Sequence, residues 1–488
     1  MQLLAVAAQR ISVALIPFML LAAAIPACAD DVPNYSVRFD AKSQNLSVRL
    51  CLAHAHASVV FDADSEWAMR FVHGVRRDSG RAVTTDDGDW IAADWHAGEC
   101  LAYRADLGAI VATHERDSGW RLGDDLVTAP QLWLLRPDAQ GDVDAQVRVL
   151  LPPGWSISTP WHEASVPISD APAGNGVRFT IPHTPPDWSA TVAFGRFNVE
   201  RIALPGGMLR LSILHGADPQ QQEKLRTWLA HVSRAILSAY GRLPVADVQV
   251  LMIPVSGHSR AVVFGQHTRG EGNSLQLLID PSQPAGKFMH DWIAVHELSH
   301  LMHPYLGDSG SWLAEGLATY FQNVLRARAG LLTPQQAWDE LDDGFKRGQH
   351  AADTGTLSEA ARSMHRSHAY QRIYWAGAAY WLTVDRDLRR QSHGKLHIDI
   401  ALSRFRDCCL PAYRSWKPED FVAKLDSLLD VHTFSQRYRE FAAMRKFPDW
   451  QKAFKDLGVR DDGGHVTFDN AAPDAKVRDA IMAPGRPQ

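Results

Sequence analysis

Leu46, Val48, Leu50 and Leu52 alternate with Ser47, Arg49 and Cys51, and Val143, Ala145, Val147 and Val149 alternate with Asp144, Gln146 and Arg148. A period of two turns one face of a strand to a core and the other to water. Breaks rich in Pro, Gly and Asp recur between such runs, as at Leu151-Pro152-Pro153-Gly154 and Asp170-Ala171-Pro172. Residues 30–205 are therefore expected to form an antiparallel β-sandwich. The pattern changes at Pro205-Gly206-Gly207. Residues 220–240 carry a helical period, while 248–253, 261–264 and 275–279 read as strands. From Lys287 to Gly458 the period is mostly helical. The expected fold is thus multidomain α+β, with an N-terminal β domain over 30–205 and a second, mostly helical domain over 206–460. Residues 461–488, polar with Gly, Pro and Asp, are expected to be a loose tail. There is no internal repeat.

Composition narrows the function classes. The 488 residues are 46% hydrophobic and 22% charged, the profile of a globular chain. With 50 Lys and Arg against 55 Asp and Glu, the net charge of −5 excludes binding to nucleic acid by phosphate neutralisation. The N-terminus has the form of an export signal. Arg10 precedes an apolar run over 11–25, and Ala27-Cys28-Ala29 fits a small-x-small cleavage site before Asp30. Residues 1–29 are accordingly expected to be a signal peptide, with the mature protein periplasmic or extracellular. A lipid anchor on Cys28 is the alternative. The run is too short for a membrane span of about 20 residues. An exported chain permits disulfides, so Cys51 and Cys100 are expected to pair, and the adjacent Cys408 and Cys409 either bridge or stay thiols.

His296-Glu297-Leu298-Ser299-His300 is the sharpest chemical signal. Residues four apart share a helix face, so both imidazoles can hold one Zn²⁺ while Glu297 stands beside them as a general base. Residues 288–305 contain no Gly, and Pro304 near their end is the only Pro, so a helix over this range is expected. Gly307 and Gly310 then force a turn, and a second helix begins at Trp312. Its Glu315, fifteen residues after His300, returns towards the imidazoles, and His, His, Glu plus water is a catalytic zinc set. Thr319, one turn on, can hydrogen-bond Glu315. His303, seven residues after His296, reads as a structural histidine, and Gly307-Asp308-Ser309-Gly310 as a turn.

These residues resemble the gluzincin metallopeptidases, whose pattern is HExxH followed after a loop by a helix with E-G-x-A/T-x-Y. Here that is His296–His300 and Glu315–Tyr320. Within them the chain is more similar to the glycyl aminopeptidase family than to aminopeptidase N, whose Glu falls four residues later. Tyr374-Trp375-Ala376-Gly377-Ala378 resembles the family's Y-x-K-G-A segment, with Ala376 in place of Lys. The resemblance implies that Tyr374 stabilises the tetrahedral intermediate and that the catalytic domain is thermolysin-like. Gly270-Glu271-Gly272-Asn273 is similar to a Gly-rich segment that binds the peptide backbone, which implies that Glu271 holds the substrate's free amine. Only thirty residues follow Gly458, fewer than the PDZ domain often found beyond the family's catalytic region requires.

The expected function is an exported zinc peptidase that hydrolyses peptide bonds by a metal-activated water. An aminopeptidase for small N-terminal residues is the first form, because the resemblance implies it. An endopeptidase on the same scaffold is the second, and a non-catalytic peptide-binding protein the third. The expected partners are one Zn²⁺ ion and a peptide or protein substrate.

Overall fold

The computed structural model describes residues 31–62, 66–113, 119–164, 176–351 and 355–484. The expected signal peptide and Cys28 lie outside them. Among the described residues no helix is long and apolar enough to cross a membrane. The chain is α+β, a multi-sheet β domain followed by a mostly helical one.

In the first half the period of two becomes burial. Strand Asn45–Cys51 buries Leu46, Val48 and Leu50 and exposes Ser47 and Arg49. It sits in a seven-stranded sheet between Asn34–Asp40 and Cys100–Asp106, and two four-stranded sheets complete the layer. Among the described residues of this half, pairing departs from the antiparallel expectation at one place, where Asn34–Asp40 runs parallel to Ala145–Leu150. A long excursion separates those two strands in sequence, which is what parallel neighbours require. Cys51 lies directly opposite Cys100 and is bonded to it. Cys408 and Cys409 also form a disulfide.

Beside the first of these bridges, Arg77 and Glu99 are buried together. Arg77 donates from Nε to Oε1 at 2.8 Å and from Nη2 to Oε2 at 2.6 Å. Those hydrogen bonds lower the Glu99 carboxyl from 4.5 to about 2, against the opposing effect of burial. A depressed carboxyl contributes stability that is complete above its unfolded value and is lost as pH falls through its folded value. The unfolding midpoint should therefore fall between pH 4.5 and 2 in thermal scans. Glu99→Gln should lower the neutral-pH midpoint and flatten that fall; an unchanged slope would remove Glu99 from the acid response.

The second half is built on a five-stranded sheet: β1 (Val199–Leu204), β2 (Gly207–Ile213), β3 (Asp247–Pro254), β4 (Val262–Thr268) and β5 (Ser274–Ile279), in spatial order β1-β2-β3-β5-β4. The β1 strand, expected in the β domain, pairs antiparallel with β2, so the change of sheet precedes the Pro205 turn. β2, β3 and β5 run parallel, and β3 is buried along almost its whole length. One face of the sheet carries helix α1 (Pro219–Leu237), which starts at an Asp218–Gln221 capping box. The other meets the β domain, where Leu251 and Ile253 pack with Val127 and Phe197.

The helices that follow hold the site: α2 (Ile293–Ser299), α3 (Ser311–Arg328), α4 (Pro334–His350) and α5 (Tyr370–Gln391). The helix expected over 288–305 is interrupted. Asp291 accepts from the Ile293 N–H at 2.8 Å and starts α2 afresh, and a single tight turn over His300–Met302 closes it before Pro304. Residues 459–482 are also more ordered than a loose tail. Strand Val459–Asp462 pairs with His465–Phe468, and helix Ala475–Met482 buries Ile481, whose carbonyl accepts from Arg328 Nε at 2.9 Å. A few apolar residues in a polar stretch were enough to dock it.

Candidate active site

Helix α2 lies against the edge strand β4. Gly265 permits this approach, because a Cβ there would overlap Ile293 Cγ2 and stand 2.8 Å from Glu297 Cγ. The same closeness lets the His267 backbone N–H donate to Glu297 Oε2 at 3.0 Å. Helix α3 crosses α5 with backbone in contact. A Cβ on Gly377 would overlap the Trp312 carbonyl oxygen, and one on Gly316 would overlap Gly377 itself. Glu315, beside Gly316, and Tyr374, three residues before Gly377, are thereby brought to one place.

The donors that would hold a metal converge. His296, His300 and Glu315 offer ligand atoms within 4.8 Å of one another. Glu315 Oε2 is 3.2 Å from His296 Nε2 and 3.6 Å from His300 Nε2. Both Nδ1 atoms are engaged elsewhere. His296 Nδ1 is 2.9 Å from Gln322 Oε1, and His300 Nδ1 is 3.0 Å from His303 Nε2. With Nδ1 engaged outward, Nε2 on the side facing Glu315 is the atom of each ring that would bind a metal. Burial would raise the Glu315 carboxyl, but the His300 and His296 rings outweigh it and hold the group well below the usual carboxylate range. Two imidazoles and one carboxylate in a tight triangle fit Zn²⁺ with a position left open.

Glu297 is half-buried beside this triangle, and burial, partly offset by the two imidazoles, raises its carboxyl. Tyr374 stacks on His296 with ring centroids 5.8 Å apart. Burial, then Glu315 and Glu297, push its phenol far up, so it stays a donor. Thr319 does not bond Glu315: its Oγ1 has no hydrogen-bond partner among the described residues.

Glu271 occupies a different environment from the one expected. It is fully buried, with one oxygen on Arg136 and the other 2.6 Å from Trp161 Nε1, and its own N–H donates to Thr184 Oγ1. All three partners belong to the β domain. A carboxylate with both oxygens taken and no water access ties the two domains together and is not open to a substrate amine. The neighbouring Arg269 points the other way and donates to the His300 carbonyl at 2.7 Å, where a cation suits a helix C-terminus.

Sequence reasoning missed Gln322 and undervalued His303. The first was findable, since Gln322 lies seven residues after Glu315 on the same face of α3. His303 is 2% exposed, and its Nδ1 is 2.7 Å from the Pro304 carbonyl oxygen. Burial and the Arg269 guanidinium hold it well below the usual histidine range, so it is neutral. Its Nδ1–H must then donate to Pro304 and its Nε2 must accept from His300, which fixes the His300 tautomer. His303→Phe should weaken zinc binding by about 10–100-fold in a chelator competition, and His303→Gln, which keeps an acceptor, by less. Zinc held by the Phe variant as tightly as by the wild type would remove this role.

An HExxH helix, a returning glutamate and a second carboxylate beside them on an α+β scaffold define a zinc metallopeptidase, and Zn²⁺ is its cofactor. Residues 293–383 match the family model of the M61 glycyl aminopeptidases, which places the chain's similarity among the gluzincin aminopeptidases. No curated protein matches the sequence. Among solved structures, an aminopeptidase N family protein from Idiomarina loihiensis is similar with a TM-score of 0.67 and 14% identity, over 88% of this chain and 78% of that one. The M1 zinc metallopeptidase of Deinococcus radiodurans is similar with a TM-score of 0.53 and 14% identity, over 86% and 95%. A mutant of that enzyme bound to a Tyr-Ser-Ala substrate gives 0.52 and 16%, over 86% and 95%.

Proposed function

We propose that this protein is an exported aminopeptidase that removes small N-terminal residues, with His296, His300 and Glu315 as metal ligands, Glu297 as general base and Tyr374 as oxyanion donor. The same reading takes residues 1–29 as a signal peptide, the first half as a β-sandwich and the second as a thermolysin-like catalytic domain. The observation that carries it is the convergence of three ligand atoms within 4.8 Å, with Glu297 and Tyr374 alongside. Zinc held there supplies Lewis acidity and lowers the pKa of water.

The chain's own residues supply the rest. β4 is the edge of its sheet, so an extended peptide can lie along its outer side by backbone hydrogen bonds. Glu297 Oε2 is held by the His267 N–H, which leaves Oε1 to take the proton of the attacking water and return it to the leaving amine. Tyr374 O–H donates to the oxygen of the tetrahedral intermediate.

One observation favours the endopeptidase reading. Glu271, the residue expected to hold the free amine, has both carboxylate oxygens bound within the β domain. Digesting free and N-acetylated copies of one peptide set, read by mass spectrometry, separates the two. Cleavage lost on acetylation supports the aminopeptidase; cleavage retained at internal bonds supports the endopeptidase. A zinc-loaded protein that cleaves neither set refutes both.

A further inference from the structure

The side of β4 that faces α2 carries every second residue, and the row continues past the end of the strand. Gly265 lies against Ile293 and Glu297, His267 stacks on the His300 ring at 6.3 Å, and Arg269 reaches the His300 carbonyl. Four residues of extended chain span about 13 Å. A peptide laid along the outer edge of β4 with its scissile bond beside Glu297 therefore meets Arg269 one to three residues further on.

Only part of that guanidinium is used by the fold. Nη2 donates to the His300 carbonyl at 2.7 Å and to the His303 carbonyl at 3.3 Å. Arg269 is half-buried, and its Nε and Nη1 have no hydrogen-bond partner among the described residues and are not sealed from solvent. Three N–H groups are thus left open on a permanent cation. The ionisable groups that face it are Glu315, Tyr305 and Glu297. Both carboxylates are committed elsewhere, Glu315 to the two imidazoles and Glu297 to the His267 N–H.

The turn that presents Arg269 is rigid. Glu271 holds a left-handed backbone, φ 57°, which is strained for a residue with a side chain and persists only where the surroundings enforce it. Here the β domain enforces it through the Arg136, Trp161 and Thr184 contacts to Glu271 and through the Gly270 N–H, which donates to the Ser189 carbonyl at 3.1 Å. A Cβ on Gly270 would overlap the Trp188 carbonyl oxygen, and one on Gly272 the Pro160 carbonyl oxygen. A cation anchored in this way is ordered before any ligand arrives, which lowers the entropic cost of binding.

We propose that Arg269 binds a carboxylate of the substrate on the C-terminal side of the scissile bond, either the terminal carboxylate of a short peptide or an acidic side chain. The ammonium of a free N-terminus is repelled from that end, so Arg269 also fixes the direction in which the peptide lies along β4. The inference rests on the proposed peptidase activity for its meaning, so its test measures binding as well as cleavage.

Ala-Ala, Ala-Ala-Ala and Ala-Ala-Ala-Ala, each paired with its C-terminal amide, probe the terminal carboxylate. Ala-Glu-Ala amide and Ala-Ala-Glu amide, each paired with its Gln counterpart, probe the side chain. Binding is measured by calorimetry on zinc-loaded Glu297→Gln protein, and cleavage on the wild type. In at least one pair the acid is expected to bind tenfold or more tightly than its neutral partner, and the pair identifies the source of the carboxylate. Adding Arg269→Gln should bring that ratio close to one at unchanged zinc content. Adding Arg269→Lys should lower it at least threefold, because one ammonium replaces two open nitrogens; this variant decides the matter if Arg269→Gln does not fold. Equal binding within every pair overturns the proposal. A ratio that survives substitution of Arg269 does so as well, since the metal or another group then takes the carboxylate. An Arg269-dependent preference without wild-type cleavage leaves the carboxylate site standing and overturns the peptidase instead.

Discussion

The Glu297→Gln variant is expected to keep its zinc and lose its turnover. Glutamine has the size and shape of glutamate, so α2 stays packed under β4 and the His267 N–H still finds an oxygen to bond. His296, His300 and Glu315 are untouched, and metal content by elemental analysis should match the wild type. Turnover falls because an amide cannot take a proton from the attacking water or hand one to the departing amine. General acid–base catalysis of this kind contributes about 10²–10⁴-fold, and the loss should fall almost wholly on kcat, because Glu297 makes no contact that holds the peptide in its ground state. Activity within tenfold of the wild type would show that another group moves the proton. A loss of zinc alongside the loss of activity would show that Glu297 helps hold the site together.

Much of this site could be read from the order of residues, and the parts that could not are those that depend on distant chain. The pair His296 and His300 and the return of Glu315 follow from helix period and one Gly-rich turn, all within twenty residues. The strands and helices of the second half follow from period as well. Glu271 shows the limit of letters. A Gly-Glu-Gly-Asn turn looks the same whether it faces a substrate or a second domain, and only Arg136 and Trp161, 135 and 110 residues away, decide the matter. The hydrogen bond from the Ile293 N–H to Asp291 is a local signal that a stretch without Gly and with a single late Pro concealed. The parallel pairing of Asn34–Asp40 with Ala145–Leu150 and the docking of Ala475–Met482 are choices made by the whole core, and no window of residues contains them.

Gly377→Ala should be the most damaging single methyl group in the helical half. The added Cβ would overlap the Trp312 carbonyl oxygen, with Gly316 Cα at 2.7 Å behind it. Backbone atoms of a buried helix cannot swing aside as a flexible side chain can, so the helices α3 and α5 must part. Overpacking of this kind costs about 3 kcal/mol or somewhat more, visible as a drop in the denaturation midpoint. The functional loss should be larger than the stability loss, because α3 carries Glu315 one residue from the contact and α5 carries Tyr374 three residues from it. Moving the helices apart draws Glu315 and Tyr374, the proposed metal ligand and oxyanion donor, away from His296 together, so zinc affinity and kcat should fall in the same variant. Gly286→Ala is the control: nothing lies within 4 Å of its Cβ position, and stability there should change by no more than about 0.5 kcal/mol. A Gly377→Ala protein with the midpoint and zinc affinity of the wild type would mean that the two helices have slack at their crossing, and that the glycine in each motif does not set the position of the residue beside it.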